Sequence, residues 1–520
     1  MNNEKPTWIA ACLAIGLVLV AATGLEVCLV FNPARRTYGE GPILAMCERM
    51  QTRPVSADWM RELPYGLSCY GPAYYWVTNA LIRLTGWQHS LVPGRIIALA
   101  AGLGIATLIG FTAYRHTRRS EIGLLAAAIF LLSLPAVEWL PYARVDTLAM
   151  LFVAMAFSAV GSRGSMNSRL SLRERTSFRG AKGDEGVRPV IARGSLLVAA
   201  VCLALGSLAK PTAAVAALPI VAHLLATRRY REAACFTGGL GVLGALVWLV
   251  IDRTSGGFFL RAVLVGNANP MSTWRGYSLG YQFLTSPVGT GAAFVAAWLA
   301  ISSPRRFLES LYSLGFLLSF SLAAVLSCKR GAEINYFLEP AILASLAIAV
   351  DGLPRLHELN VRRAQIAIVC LTGVMIVPTL RDIKAARHSL SLASRWSDPV
   401  RRRLADEPAD VGLLADGKMM DVVLAAGRQA QVSDPYLYTM LVGNGSLDPT
   451  PVVERMRDGR IKWLIFHRHL AHHQNATETD THAWPPEVLA LLPRYYQLVE
   501  EKTGLYIYRH RGTELADASP

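Results

Sequence analysis

Long apolar runs recur along this chain, separated by short arginine-rich connections, and that pattern leaves it few ways to fold. The runs lie near 8–31, 93–114, 121–138, 146–162, 194–210, 212–227, 233–251, 287–302, 308–327, 337–351 and 365–380. A helix needs about 20 apolar residues to cross a bilayer, so the runs predict a polytopic α-helical membrane protein with about 11 transmembrane helices. Charged residues make up 17% of the chain, against about 25% in soluble globular proteins. That deficit excludes a water-soluble enzyme with one large core. The first run is too long for a signal-peptide core and reads as a retained helix.

The formal charge of +15 points to orientation, not to nucleic acid, because no basic groove with interleaved aromatics is present. Arg115, Arg118, Arg119, Arg228, Arg229, Arg231, Arg305, Arg306, Arg355, Arg362 and Arg363 follow successive runs. All fall on one face if the N-terminus is cytoplasmic, as the positive-inside rule requires. Basic residues at both ends make 194–227 a hairpin with Lys210-Pro211 at its far turn. The same logic makes 121–162 a hairpin with Arg144 and Asp146 at its outer turn.

Segment 161–193 is rich in Ser, Arg and Gly and reads as a disordered cytoplasmic loop. Residues 32–92 and 252–286 form the outer loops. Within the first, Tyr70 to Arg83 is amphipathic and too short for a span, which predicts an interfacial helix. Residues 1–380 thus form the transmembrane unit. Residues 381–520 are polar and mixed, with strand-like runs at Val411–Leu414 and Trp463–Phe466, and predict a small extracytoplasmic α/β domain. Cys47 and Cys69 share the first outer loop and could pair on an oxidising side. His467, His469, His472 and His473 lack a carboxylate or cysteine to complete a metal site and read as a surface loop. No metal or cofactor is expected.

A carboxylate beside hydrocarbon is costly and marks a candidate site. Glu40 follows the first run, and Asp146 opens the fourth. Arg144, Lys210 and the Asn335, Tyr336 and Glu339 cluster lie at the same outer ends. Each has a plainer reading alone: a solvated loop acid, a hairpin ion pair, a snorkelling lysine, interhelical polar contacts. Gathered on one face, acids could take a proton and cations could hold a departing phosphate. The substrate of such a face is a lipid phosphate. Paired repeats and a midplane site would instead mark a transporter or flippase for a lipid-linked or small anionic substrate, and no repeat is evident.

The order Glu40-Gly41, Tyr70-Gly71-Pro72-Ala73-Tyr74-Tyr75, Pro93-Gly94-Arg95, Ala143-Arg144-Val145-Asp146, Ala209-Lys210-Pro211-Thr212 and Asn335-Tyr336-Phe337-Leu338-Glu339 resembles the GT-C membrane glycosyltransferases. The likeness is to the bacterial branch related to protein O-mannosyltransferases and lipid A aminoarabinose transferases, and covers about residues 8–380. Gly427-Arg428 and Val432-Ser433-Asp434-Pro435 are similar to the outer domain of some members. The resemblance implies an inverting transfer of a sugar from a polyprenyl-phosphate carrier to a glycan, lipid or protein acceptor, on the outer side of the inner (plasma) membrane. It implies Glu40 and Asp146 as catalytic acids. Arg144, Lys210 and Arg95 would contact phosphate, and Tyr70, Tyr74, Asn335, Tyr336 and Glu339 would line the substrate site. The family usually carries an Asp-Glu pair in the first outer loop. Here Gly39 stands where the partner acid would be, which leaves Glu40 alone.

Overall fold

The computed structural model describes residues 5–31, 38–161, 193–355, 394–408, 410–469, 484–502 and 504–512. The expected span at 365–380, loop 161–193 apart from its two ends, His472, His473 and the boundary at 380 lie outside these residues. The apolar runs become helices: α1 (Lys5–Val30), α4 (Val92–Thr117), α5 (Ser120–Leu131), α7 (Val145–Gly161), α8 (Arg193–Ala209), α9 (Ala217–Ala226), α10 (Tyr230–Thr254), α13 (Pro287–Ser302), α14 (Leu311–Leu326) and α15 (Leu338–Leu346). Among the described residues, three stretches are long and apolar enough to cross a membrane: Val92–Thr117, Tyr230–Thr254 and Ile334–Arg355. A count of eleven is therefore not reached by length. The shortfall has local causes. The run at 121–138 breaks at Ser133, whose extended backbone precedes the short α6 (Leu134–Trp139). The run at 212–227 opens with a 3-10 turn, Pro211–Ala216, not an α-helix.

One end of the bundle collects the basic connections. Asp351 accepts from Ser310 and Ser313 at 2.6 Å each, and a Cβ at Gly161 would meet Tyr312. The end of α7, the π-helical segment Ala347–Gly352 that follows α15, and the start of α14 therefore meet there. The opposite end carries the connections at 139–146, 209–212 and 327–337.

That opposite end is covered by short helices the sequence reading only partly anticipated. The amphipathic helix is present as α3 (Ala73–Thr85), burying Tyr74, Tyr75, Thr78, Asn79 and Ile82 and leaving Trp76 and Leu84 exposed. The first loop also holds α2 (Glu40–Thr52). The second, read as a loop, holds α11 (Phe258–Gly266) and α12 (Thr273–Leu284), the latter turned 83° from α13. Cys47 and Cys69 are both free thiols. Gly71 lies against the Leu208 carbonyl of α8 so closely that a Cβ would collide with backbone. Gly71→Ala is expected to push α3 off α8 and cost about 1–3 kcal/mol, as overpacking does. A melting temperature unchanged within a degree would contradict this contact.

The C-terminal region holds a four-stranded sheet of order β1-β2-β4-β3. β1 (Gly412–Ala415) pairs parallel with β2 (Ile461–Phe466), and β4 (Leu505–His510) runs antiparallel to β2 and to β3 (Tyr496–Lys502). β1 is buried at every position, and Gln431 N–H donates to Leu413 O at 2.9 Å beside it. The region is seated on the membrane unit through backbone. Tyr65 N–H donates to Gln431 O at 2.8 Å and Ser433 N–H to Tyr65 O at 3.1 Å. A Cβ at Gly41 in α2 would sit 2.6 Å from Gly417 O.

Candidate active site

Proline placement aims the first cation. Pro211 disfavours a helical residue before it, so α8 stops at Ala209 and Lys210 is extended, at φ −140° and ψ 115°. Its ammonium reaches Asp146, Nζ to Oδ1 at 2.6 Å. It also lies 4.3 Å from the centre of the Tyr336 ring. Asp146 sits in the first turn of α7, where the helix dipole favours a negative charge. Asn335, on the 3-10 turn Ile334–Phe337, donates Nδ2–H to the same Oδ1 at 2.7 Å. Asp146 Oδ2 is buried without a hydrogen bond, 3.8 Å from Arg144 Nε. Arg144 lies over Trp139 at 4.9 Å and donates Nη2–H to the Tyr70 hydroxyl at 3.3 Å.

Lys210, Asn335, Tyr336, Arg144, Trp139 and Tyr70 border a cavity of about 700 Å³. Arg144, Lys210, Lys329 and Arg330 supply its cations, Glu138, Glu333 and Asp434 its acids, and Tyr70, Tyr75, Trp139 and Tyr336 its aromatic wall. Burial and then the Lys210 charge lower the basicity of the Lys329 amine. Burial holds the Glu333 carboxyl above its ordinary range despite its Arg275 partner at 2.9 Å. A smaller hollow of about 30 Å³, large enough for a water, lies beneath and touches Asp146, Lys210, Asn335, Tyr336 and Glu339.

The residues singled out from sequence thus separate into three layers. Tyr70, Arg144, Lys210, Asn335 and Tyr336 line the cavity. Asp146 and Glu339 line the hollow below. Glu40, Arg95 and Tyr74 stand behind the wall. Glu40 is fully buried: Arg95 donates to it from Nε at 2.8 Å and Nη2 at 3.0 Å, and the Ala143 amide donates at 2.8 Å. Arg95 is spent on Glu40, and Tyr74 donates its hydroxyl to Gly94 O at 2.7 Å. Gly39 takes the cavity position beside Glu40, and the Arg144 guanidinium fills the space where a side chain would be.

Lys329 and Arg330 are not singled out by the sequence reading, and Asp434 stands out only within the outer-domain motif Val432-Ser433-Asp434-Pro435, not as a site residue. The first two carried a signal: they follow the run at 308–327 on the side that the positive-inside rule leaves poor in cations. Among the described residues no group of three or more His, Cys, Asp or Glu is placed to hold a metal ion. His467 faces Asp416 instead, across the C-terminal ends of β2 and β1.

A helical membrane unit, a polar cavity at one end and a small sheet over it make up the fold of the GT-C membrane glycosyltransferases. ArnT from Cupriavidus metallidurans, crystallised bound to undecaprenyl phosphate, superposes with a TM-score of 0.58 and 13% identity, over 94% of this chain and 97% of its own. The archaeal oligosaccharyltransferase AglB from Archaeoglobus fulgidus, in complex with an inhibitory peptide and a dolichol-phosphate, gives 0.52 and 12% over 95% of this chain and 74% of its own. No protein-family model matches the sequence, and no curated protein matches it.

Proposed function

We propose that this chain is an inverting membrane glycosyltransferase, which moves a sugar from a polyprenyl-phosphate carrier to an acceptor on the extracytoplasmic side. One observation carries the reading: four cations line a single cavity at the bundle end, in a fold shared with a protein crystallised on undecaprenyl phosphate. The tail of the carrier lies in the bilayer and its phosphate meets Lys210 and Arg144. As the bond from the anomeric carbon to phosphate oxygen breaks, the electron pair stays on phosphate. Buried cations stabilise that charge more than water would, because they need not reorganise. Asp146 is a positioning residue, holding Lys210 and Asn335 in place. Glu40 has the same kind of role one layer out, tying α2, α4 and the Ala143 turn. The basic end of the bundle faces the cytoplasm, which puts the 381–520 domain outside, over the site.

The test uses a deletion strain. Mass spectrometry of its lipid extract should show one polyprenyl-phosphate sugar accumulating and one envelope glycan, lipid or protein losing that sugar. Purified full-length protein should consume the accumulated species and release polyprenyl phosphate. A transporter would leave the carrier bond intact, and an unchanged lipid-sugar pool on protein addition would reject the enzyme reading.

A further inference from the structure

The first-loop acid is withdrawn behind the wall, so the proton of an acceptor hydroxyl must go elsewhere. Asp146 lies in the hollow below the cavity, with Oδ1 engaged by Lys210 and Asn335 and Oδ2 buried. Glu333 is paired with Arg275, and Glu138 has a partner of its own. Asp434 differs. It lines the same cavity; its Oδ1 accepts from the Tyr38 hydroxyl and the Leu437 amide, each at 3.0 Å, and the Tyr436 amide also donates to the carboxylate. Its Oδ2 is not among the buried oxygens that lack a partner. The carboxylate borders the cavity. Tyr38 in turn accepts from the Tyr436 amide, which fixes its ring against the C-terminal region. The next residue, Gly39, touches the Arg144 guanidinium. One short segment thus places a carboxylate oxygen and a phosphate-binding cation on the same cavity.

We propose that Asp434, from the C-terminal region, is the catalytic base that takes the acceptor's proton. The inference rests on the transfer reading above. The acceptor oxygen forms a bond to the anomeric carbon, the carbon–phosphate oxygen bond breaks with its electrons on phosphate, and the hydroxyl proton passes to the Asp434 carboxylate. Water later removes that proton. The acceptor is therefore a hydroxyl compound, seated between the membrane unit and the C-terminal region.

Burial first, opposed by the Leu437 amide, the Tyr38 hydroxyl, the Arg144 charge and the Tyr436 amide, raises the Asp434 carboxyl above its ordinary range. A base is active above its pKa and fails as pH falls through it, so the acid limb of transfer should lie above the usual carboxylate range. The groups facing Asp434 are Tyr38, Cys69, Tyr75, Arg144 and Tyr436. None of the four neutral groups has a lowered pKa, so none titrates in that window.

The experiment compares wild type with Asp434→Asn in full-length detergent-solubilised protein. Asparagine still caps the helix that starts at Pro435 and still accepts from Tyr38. The donor is the lipid extract of the deletion strain, with the envelope fraction as acceptor. The variant should transfer about 100-fold more slowly, melt as wild type does, bind undecaprenyl phosphate equally by native mass spectrometry, and lack the acid limb. Transfer within threefold of wild type overturns the assignment, as does a parallel loss of undecaprenyl phosphate binding. Absence of transfer by wild type overturns the functional reading and this assignment with it.

Discussion

Lys210→Met is expected to lower sugar transfer by about 10³-fold, the upper end of what one lost charge-stabilising donor costs. Methionine keeps the length and apolar stem but offers nothing to the departing phosphate. Asp146 would keep the Asn335 bond at 2.7 Å and Arg144 at 3.8 Å, so the carboxylate is not left alone and the fold should survive. Lys210→Arg keeps the charge, but its planar head cannot occupy the point contact between Asp146 and the Tyr336 ring. It should recover only part of the rate. Initial rates of carrier release, with melting temperatures as a check on folding, decide the matter. Lys210→Met within threefold of wild type would remove this lysine from the phosphate site.

The Glu40–Arg95 pair should give the largest loss of stability. Both side chains are buried, at 0% and 1% exposure, so removing one partner strands a charge at a cost of about 3–5 kcal/mol. Arg95→Leu or Glu40→Leu alone should lower the melting temperature sharply and reduce the folded yield. The double substitution removes both charges, and replacing a buried pair with apolar side chains is often neutral. It should restore most of the lost stability. Activity then separates two roles. If Glu40 positions the wall, transfer returns with the fold in the double variant. If Glu40 takes the acceptor proton, the double variant folds but stays inactive.

Parts of this site were legible in the sequence because an apolar background makes polar residues conspicuous. Arg144, Asp146, Lys210, Asn335 and Tyr336 stood out at run ends, and hairpin logic brought them to one face. Pro211 even signalled the break that frees Lys210 from its helix. What a run-by-run reading does not show is pairing. Glu40 and Arg95 were both noticed, yet nothing in their spacing of 55 residues says that they neutralise each other. Asp434 lacked any contrast, since it sits in a polar region where carboxylates are ordinary. The number of runs exceeds the number of span-length helices among the described residues for a different reason. Hydropathy sums apolar character, whereas Ser133 and Pro211 break the backbone without lowering it much.

The bond between Tyr38 and Asp434 joins residues 396 positions apart. A ribosome delivers the membrane unit first, and its cations are in the bilayer long before residue 434 exists. Until then the cavity has no roof over Arg144 and no Asp434. If Asp434 takes the acceptor proton as proposed, a chain that ends before the sheet would present the cations of the cavity but not the base, and chain order would act as a timer.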